Sequence, residues 1–466
     1  MKNKFLLYSM IVVLLFLSVG IYLITQNENN KISKIIKDNT PSNVKYFLKK
    51  TIFYIPLKVR EFKEIKEINK GLNEKNSKLI IENNVLKNTL FQGNYEKKIK
   101  DKYLFESFVV PFISENDPYK RKSQAYLEIF ENKIIVIFWS GKIISFEKNV
   151  FDNGIFNFKE IKNNISQKKF YDNSIKWTGI RDALVVGNEI YLSLTEEIRE
   201  NCYMTSVIKA DVNFENLEFS SIFKPTECTD ISKQVEYFRY FNGHQTGGRL
   251  VWLDNKLYLT IGDYNSWEYV QDDKSIIGKT LEIDPNNGKY ILVTKGHRNQ
   301  QGLTIFSEEQ KLLISSEHGP KGGDEINLID LNENLQNNNF GWPISSYGSH
   351  YDVVPINKFT KKYAPLNKSH KEFNFKEPIK YFSKAVAPSQ IIKNYYSNRN
   401  QFILSTLGKK SLYFLEIDSL KNLEIVKTIN TGERIRDIIY DKLTNSYFIY
   451  QENTNTPKIV KISIVK

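Results

Sequence analysis

One repeated pattern constrains this chain more than any other feature. Short runs of β-branched and aromatic residues recur at 133–138, 189–194, 256–261, 311–316, 401–406 and 446–450. Turn residues such as Asn132, Gly187-Asn188 and Asp254-Asn255 introduce them. Several are followed by a second strand that closes on an acidic turn, as in Leu281-Glu282-Ile283-Asp284-Pro285-Asn286-Asn287-Gly288. Such runs between turn signals read as strands. Six copies of one strand-turn-strand unit, roughly 45 to 90 residues apart, predict an all-β, six-bladed propeller over residues 101–466. A β-sandwich or a pair of sandwiches is the competing arrangement; repetition and a length of 466 residues favour the propeller.

The N-terminus reads differently. Residues 5–24 carry no charge, and twenty residues of helix cross a hydrocarbon layer of ~30 Å. Lys2 and Lys4 precede them. We expect residues 1–26 to form a signal anchor, giving a single-pass inner-membrane protein with its propeller in the periplasm. Ser18-Val19-Gly20 leaves a cleavage site open as the alternative. Lys31, Lys34 and Lys37 follow the span, so the positive-inside rule does not settle orientation. Residues 27–100 read as a basic helical stalk. Within 58–91, Ile65, Leu72, Leu79 and Leu86 recur every seven residues, with Asn69, Asn76, Asn83 and Leu90 at the companion positions. That seam suits a weak coiled coil or a single solvated helix.

The charge is placed accordingly. Residues 1–100 hold 19 Lys and Arg against 8 Asp and Glu, which accounts for most of the net charge of +13. A nucleic-acid binder would carry its basic patch on the folded domain. Here the excess sits beside the apolar span, where it suits an anionic membrane surface; a solvated stalk without a partner is the plainer alternative. The two cysteines, Cys202 and Cys228, could close a local loop or remain buried thiols.

Four segments offer chemistry. In Gly243-His244-Gln245-Thr246-Gly247-Gly248-Arg249-Leu250, a neutral His244 could take a proton from an alcohol, with Asp263 holding the ring's tautomer. Gly296-His297-Arg298-Asn299-Gln300-Gln301-Gly302 supplies a cation and amide donors. Glu317-His318-Gly319-Pro320-Lys321-Gly322-Gly323-Asp324-Glu325-Ile326-Asn327 combines carboxylates with turns that expose carbonyls, the donors a hard cation needs, though its spacing matches no EF-hand. In Gly432-Glu433-Arg434-Ile435-Arg436-Asp437, strand alternation aims Arg434 and Arg436 together at one anion.

These segments, with Asn339-Phe340-Gly341-Trp342-Pro343 and Tyr347-Gly348, resemble the glucose/sorbosone dehydrogenase family. The likeness is specific over about 240–350 and weaker over about 170–240 and 380–466. It implies a six-bladed propeller that oxidises the C1 hydroxyl of an aldose to a lactone with pyrroloquinoline quinone and Ca²⁺; the electron acceptor stays unassigned. By the same resemblance, His244 corresponds to the general base and Asp263 to its supporting carboxylate. Arg298 and Asn299 correspond to the contacts on the quinone's reactive side. Gly319 and Pro320 correspond to the Ca²⁺-binding carbonyls, and Arg434 and Arg436 to the cations facing the cofactor's carboxylates. Departures are visible. Gly243 and His318 stand where glucose dehydrogenases have Asp and Gln. Gly408 stands at a cofactor-facing Lys, with Lys409 and Lys410 adjacent. Trp177-Thr178-Gly179-Ile180-Arg181-Asp182 replaces a Gly-Gly-Leu-Leu-Gly-type signature. Two other readings fit the same fold. One is a non-catalytic propeller that binds envelope glycan or protein, with Trp267, Trp342, Tyr347 and Tyr351 as a stacking platform. The other is a Ca²⁺-dependent lactonase.

Overall fold

The computed structural model describes residues 95–110, 124–166, 170, 178–232, 241–419, 422–453 and 456–465. The expected anchor, residues 27–94 of the expected stalk and Trp177 lie outside the described residues. Among the described residues no helix is long and apolar enough to cross a membrane.

The described chain folds into six sheets. Their first strands are β1 (Ala125–Phe130), β2 (Gly179–Val186), β3 (Gly247–Leu253), β4 (Gln300–Ser307), β5 (Pro388–Lys393) and β6 (Arg434–Asp441). Each packs on the next, and β6 returns to β1. That closed ring is a six-bladed propeller with β1–β6 around its axis. The six apolar runs of the sequence are the second strands of the six blades, from Lys133–Phe138 to Ser446–Glu452. They are apolar on both faces because neighbouring blades cover both. Ile134, Val136 and Phe138 meet Phe448 and Tyr450 of the last blade, for example.

The last blade joins the two ends of the domain. Tyr103–Val109 pairs antiparallel with Lys458–Ile464, and Glu96–Lys100 adds an outer strand. The propeller therefore begins before residue 101, where the stalk was expected to end. Its Glu-Lys-Lys-Ile-Lys sequence has one apolar residue and so lacks a strand signature; lysines on an edge strand discourage further pairing.

Five of the six first strands are bulged. The register shifts between Ile180 and Asp182, Gly247 and Leu250, Gln300 and Gly302, Pro388 and Ile391, and Ile435 and Asp437. A bulge takes a residue out of the ladder and re-aims its side chain. The residues so placed include Arg181, Arg249, Gln301 and Arg436.

Among the short helices of the connections are α1 (Trp267–Val270) and α2 (Lys358–Tyr363). The second belongs to a long insertion, 331–379, between the third and fourth strands of the fourth blade. Cys202 and Cys228 form a disulfide, which excludes the two-thiol alternative.

Candidate active site

Connections that lead into a first strand, and those that leave a second strand, lie at one end of an up-and-down propeller. His244 precedes β3 and Arg298-Asn299 precede β4. Asp263 follows Lys256–Ile261, and Gly319-Pro320 follow Leu312–Glu317. Alternation along antiparallel strands thus carries side chains from distant segments to one end of the axis.

The floor is an arginine. Arg249 Nη1 donates to Asp182 Oδ1 (2.7 Å) and to Asp437 Oδ1 (2.8 Å). Its Nη2 donates to the Arg436 carbonyl (3.1 Å) and its Nε to the Gln301 carbonyl (2.6 Å). Each aspartate uses its other oxygen to accept a backbone N–H of the following blade, from Leu250 and from Leu127, both at 2.8 Å. One buried guanidinium therefore ties β2, β3, β4 and β6 together, with β1 held through Asp437. Two carboxylates share one cation. Burial, the largest influence, pushes the Asp182 carboxyl up to about 7; Arg249 opposes that and Asp437 adds to it.

Near this hub, Arg298 is held by neutral oxygens. Arg298 Nη1 donates to the carbonyls of Gly319 (2.6 Å) and His318 (3.1 Å). With the Gln245 amide oriented to satisfy its neighbours, its oxygen accepts from Arg298 Nη2 (2.8 Å). The Gln245 nitrogen then donates to Asp263 Oδ1 (2.7 Å) and Asn265 Oδ1 (2.8 Å). Asp263, fully buried, also accepts from the Trp342 indole (2.9 Å) and the Asn265 backbone N–H (2.9 Å). Asn265 Nδ2 lies 3.5 Å from His244 Nε2. The guanidinium of Arg298 also lies over the Trp342 ring, 5.5 Å from its centroid. Asn299 Oδ1 accepts from Gln301 Nε2 (3.1 Å), and Gln301 Oε1 accepts from Arg436 Nη1 (3.3 Å). A continuous chain of contacts thus runs from His244 through Asn265, Gln245, Arg298-Asn299 and Gln301 to Arg436.

The turn under Arg298 is tightly built. Gly319 N–H donates to Asp324 Oδ1 (3.0 Å), and a Cβ on Gly319 would fall 2.1 Å from the Gly323 carbonyl. Pro320 packs its ring against Gly348 of the insertion. Glu317 supports the turn from below: it accepts the backbone N–H groups of Arg298 and Asn299 and the Nδ1–H of buried His297 (2.8 Å). His318 donates Nε2–H to the Pro388 carbonyl (2.5 Å). Burial, the largest cause, holds the His318 imidazole below its usual range, assisted by Arg298 and Arg436; Asp324 works against them.

Arg434 and Arg436 do converge on one anion, and it is the protein's own. Both Nε groups donate to the buried carboxylate of Glu452, with Arg434 at 2.9 Å and Arg436 at 2.5 Å. Arg436 is buried and linked to Gln301, whereas the Arg434 side chain keeps 27% exposure. Lys409 is exposed, on a turn whose backbone N–H bonds the Val386 carbonyl (3.2 Å). The neighbouring Lys410 lies 3.9 Å from Glu433. His244, Asp263, Arg298, Asn299, Gly319 and Arg436 are brought together; Arg434 stands one step outward, and Lys409 faces solvent.

Gln245, Gln301, Glu452, Arg181 and the Arg249 hub were absent from the sequence-derived site. Arg181 donates to the Gly243 carbonyl (2.8 Å), beside His244, and to Thr195 (2.9 Å). A repeat was available as a signal: Ile180-Arg181-Asp182 and Ile435-Arg436-Asp437 are the same tripeptide, and their aspartates do the same job. Among the described residues no three His, Cys, Asp or Glu side chains gather to hold a metal, so a cation here would rest on carbonyls.

Comparison with known proteins places this geometry. The family model for glucose/sorbosone dehydrogenases matches residues 181–460. The aldose sugar dehydrogenase YliI of Escherichia coli is 25% identical over 238 residues, covering 45% of this chain and 60% of that protein. The chain thus spans less than two thirds of that relative's length. The crystal structure of the soluble aldose sugar dehydrogenase from Escherichia coli in its apo form superposes with a TM-score of 0.59 at 17% identity, over 77% of this chain and 99% of that one. The PQQ-bound aldose sugar dehydrogenase from Streptomyces coelicolor gives 0.52 at 16% identity, over 79% and 100%. At such identities these structures support the six-bladed fold alone. With the family model matched over more than half its length, the chain belongs to the glucose/sorbosone dehydrogenase family.

Proposed function

We propose that this protein oxidises the C1 hydroxyl of a cyclic aldose to the lactone, with pyrroloquinoline quinone and Ca²⁺ seated beside Arg298 at one end of the propeller axis. One observation carries the reading. Among the described residues the buried guanidinium of Arg298 is held only by carbonyl and amide oxygens, so its charge is left for an anionic or electron-rich ligand beside His244.

The residues fit both groups. The Gly319 carbonyl already faces a cationic nitrogen, that of Arg298 (2.6 Å), and carbonyl oxygens are the donors a hard divalent ion takes. Gly319 and Pro320 would hold the Ca²⁺. Arg298 and Asn299 would hold the reactive side of the cofactor, and Arg436, with Arg434, its carboxylates. When bound, the quinone supplies the two-electron acceptor for the C1 hydrogen. The chain's own residues do the rest. A sugar hydroxyl that takes the place of the Asn265 amide at His244 Nε2 gives up its proton there. Asp263, Trp342 and Gln245 fix Asn265 and so aim the imidazole. Burial of Arg298 strengthens its action on charge that develops at the reacting oxygen.

The purified propeller, loaded with Ca²⁺ and the quinone, should bind the quinone spectroscopically and reduce a dye in the presence of an aldose. Absence of both would leave a non-catalytic glycan-binding propeller; hydrolysis of a sugar lactone with Ca²⁺ alone would favour the lactonase. His244→Ala should lower turnover ~10²–10⁴-fold with quinone binding retained; unchanged turnover removes His244 as the base.

We also propose an extracytoplasmic location on a membrane anchor at residues 1–26, with the basic stalk against anionic lipid. The uncharged run at 5–24 and the Cys202–Cys228 disulfide support it. A C-terminal reporter active only in the cytoplasm would overturn it.

A further inference from the structure

Resting on the dehydrogenase reading, we infer that the tip of the 331–379 insertion is the docking surface for an acidic, one-electron redox protein. Sugar oxidation releases two electrons and two protons as the C1–H and O–H bonds give way to the lactone carbonyl. The chain itself offers no terminal acceptor for those electrons, so an acceptor must approach the site; two molecules of a one-electron carrier, each reduced once, complete the balance.

The insertion marks where. Residues 353–371 contain five lysines, at 358, 361, 362, 368 and 371, and no Asp or Glu. All five are exposed, and among the described residues none forms an ion pair. This is a local exception: residues 101–466 as a whole carry only about +2. Beside the lysines, Val353 and Ile356 remain 62% and 60% exposed. Asp352, which precedes Val353, is paired with Lys321 (2.9 Å), so the apolar centre keeps a net positive border, which suits a small, transient interface whose encounters are electrostatically steered. The sign selects an acidic partner.

The patch is also close to the chemistry. Phe359 of α2 stacks on Trp267 (6.5 Å between centroids), and Trp267 meets Trp342 edge-on (6.4 Å). Trp342 lies under the Arg298 guanidinium and donates to Asp263. Three aromatic rings therefore connect the lysine-bordered surface to the candidate reacting centre, and a carrier seated there would lie near it. The same insertion pairs its backbone with the 319–323 turn, where Lys321 and Ser349 exchange hydrogen bonds of 2.9 and 3.1 Å.

The test compares two c-type cytochromes of opposite net charge, one acidic and one basic, with phenazine methosulfate as a small acceptor, on the loaded full-length protein. The dye assay alone decides the dehydrogenase reading. Given dye turnover, the acidic cytochrome should be the better acceptor at low salt, with the preference fading as salt rises. The triple substitution Lys358→Glu, Lys361→Glu and Lys362→Glu should lower kcat/KM for the acidic cytochrome about tenfold or more, improve it for the basic one, and leave dye turnover unchanged. Surface plasmon resonance of the unloaded protein on immobilised acidic cytochrome should show the same loss. No preference between the cytochromes, reduction of neither, an equal effect on dye and protein acceptors, or binding of the patch to phosphatidylglycerol vesicles with cytochrome kinetics untouched would each overturn the assignment.

Discussion

Two arginines near the propeller axis differ in how their charge is met. Arg249 lies between Asp182 and Asp437 and also donates to two backbone carbonyls. Arg298 has carbonyls and an amide, with no carboxylate among its hydrogen-bond partners in the described residues. Both are buried. The first is compensated and joins blades; the second is held in place with its charge left over. Burial alone does not separate a structural cation from a functional one. The formal charge of the partners does, because a buried cation without a counter-anion is stable only where strong dipoles replace water or a ligand completes it.

Several experiments can break or sharpen this contrast. Arg249→Leu leaves two buried carboxylates without a cation and should destabilise the fold by ~3–5 kcal/mol in denaturant titrations; a loss below 1 kcal/mol would show that the hub is not what joins the blades. Arg298→Leu should do the reverse, with turnover falling ~10²–10³-fold and the unfolding midpoint scarcely moving. Equal damage to stability by both variants would erase the distinction. Cys202→Ser, away from the axis, serves as the control: it should remove about 3 kcal/mol of stability by freeing a loop of 26 residues, without a change in KM.

The smallest effect is a pH slope. The native Asp182 carboxyl stands at about 7 against 3.8 in the unfolded chain. The folded state therefore retains a proton that the unfolded state releases. This contribution is complete below about pH 4 and is lost as pH rises through about 7. Asp182→Asn should flatten that part of the stability profile, read from denaturant midpoints at pH 4, 5.5 and 7.5. A profile unchanged by the substitution would place the proton elsewhere in the hub.

The second strands are readable because blades cover them on both faces: in 256–261, Leu257, Leu259 and Ile261 pack into one core cluster and Tyr258 into another. The first strands were harder to read. Their bulges interrupt the period of two at Arg181, Arg249, Gln301 and Arg436, the positions that carry polar side chains to the axis. Arg434 and Arg436 were correctly expected to share an anion, but alternation along one strand could not reveal that the anion is Glu452 on the adjacent strand. Gln245 was passed over because its role depends on a left-handed backbone at φ 60°, which turns its amide between Asp263 and Arg298. Lys409 was chosen for its charge and proximity in sequence, yet it lies on an exposed turn.

The sequence by itself determined the all-β class and the number of blades, because strand periodicity and turn chemistry act between residues close along the chain. Closure of the ring decided the rest: which arginine is neutralised and which is not, which carboxylate faces which cation, and which surface the insertion presents. Those are properties of distances between residues tens to hundreds of positions apart, as with Arg249 and Asp437, and electrostatic energy follows distance and burial rather than order along the chain.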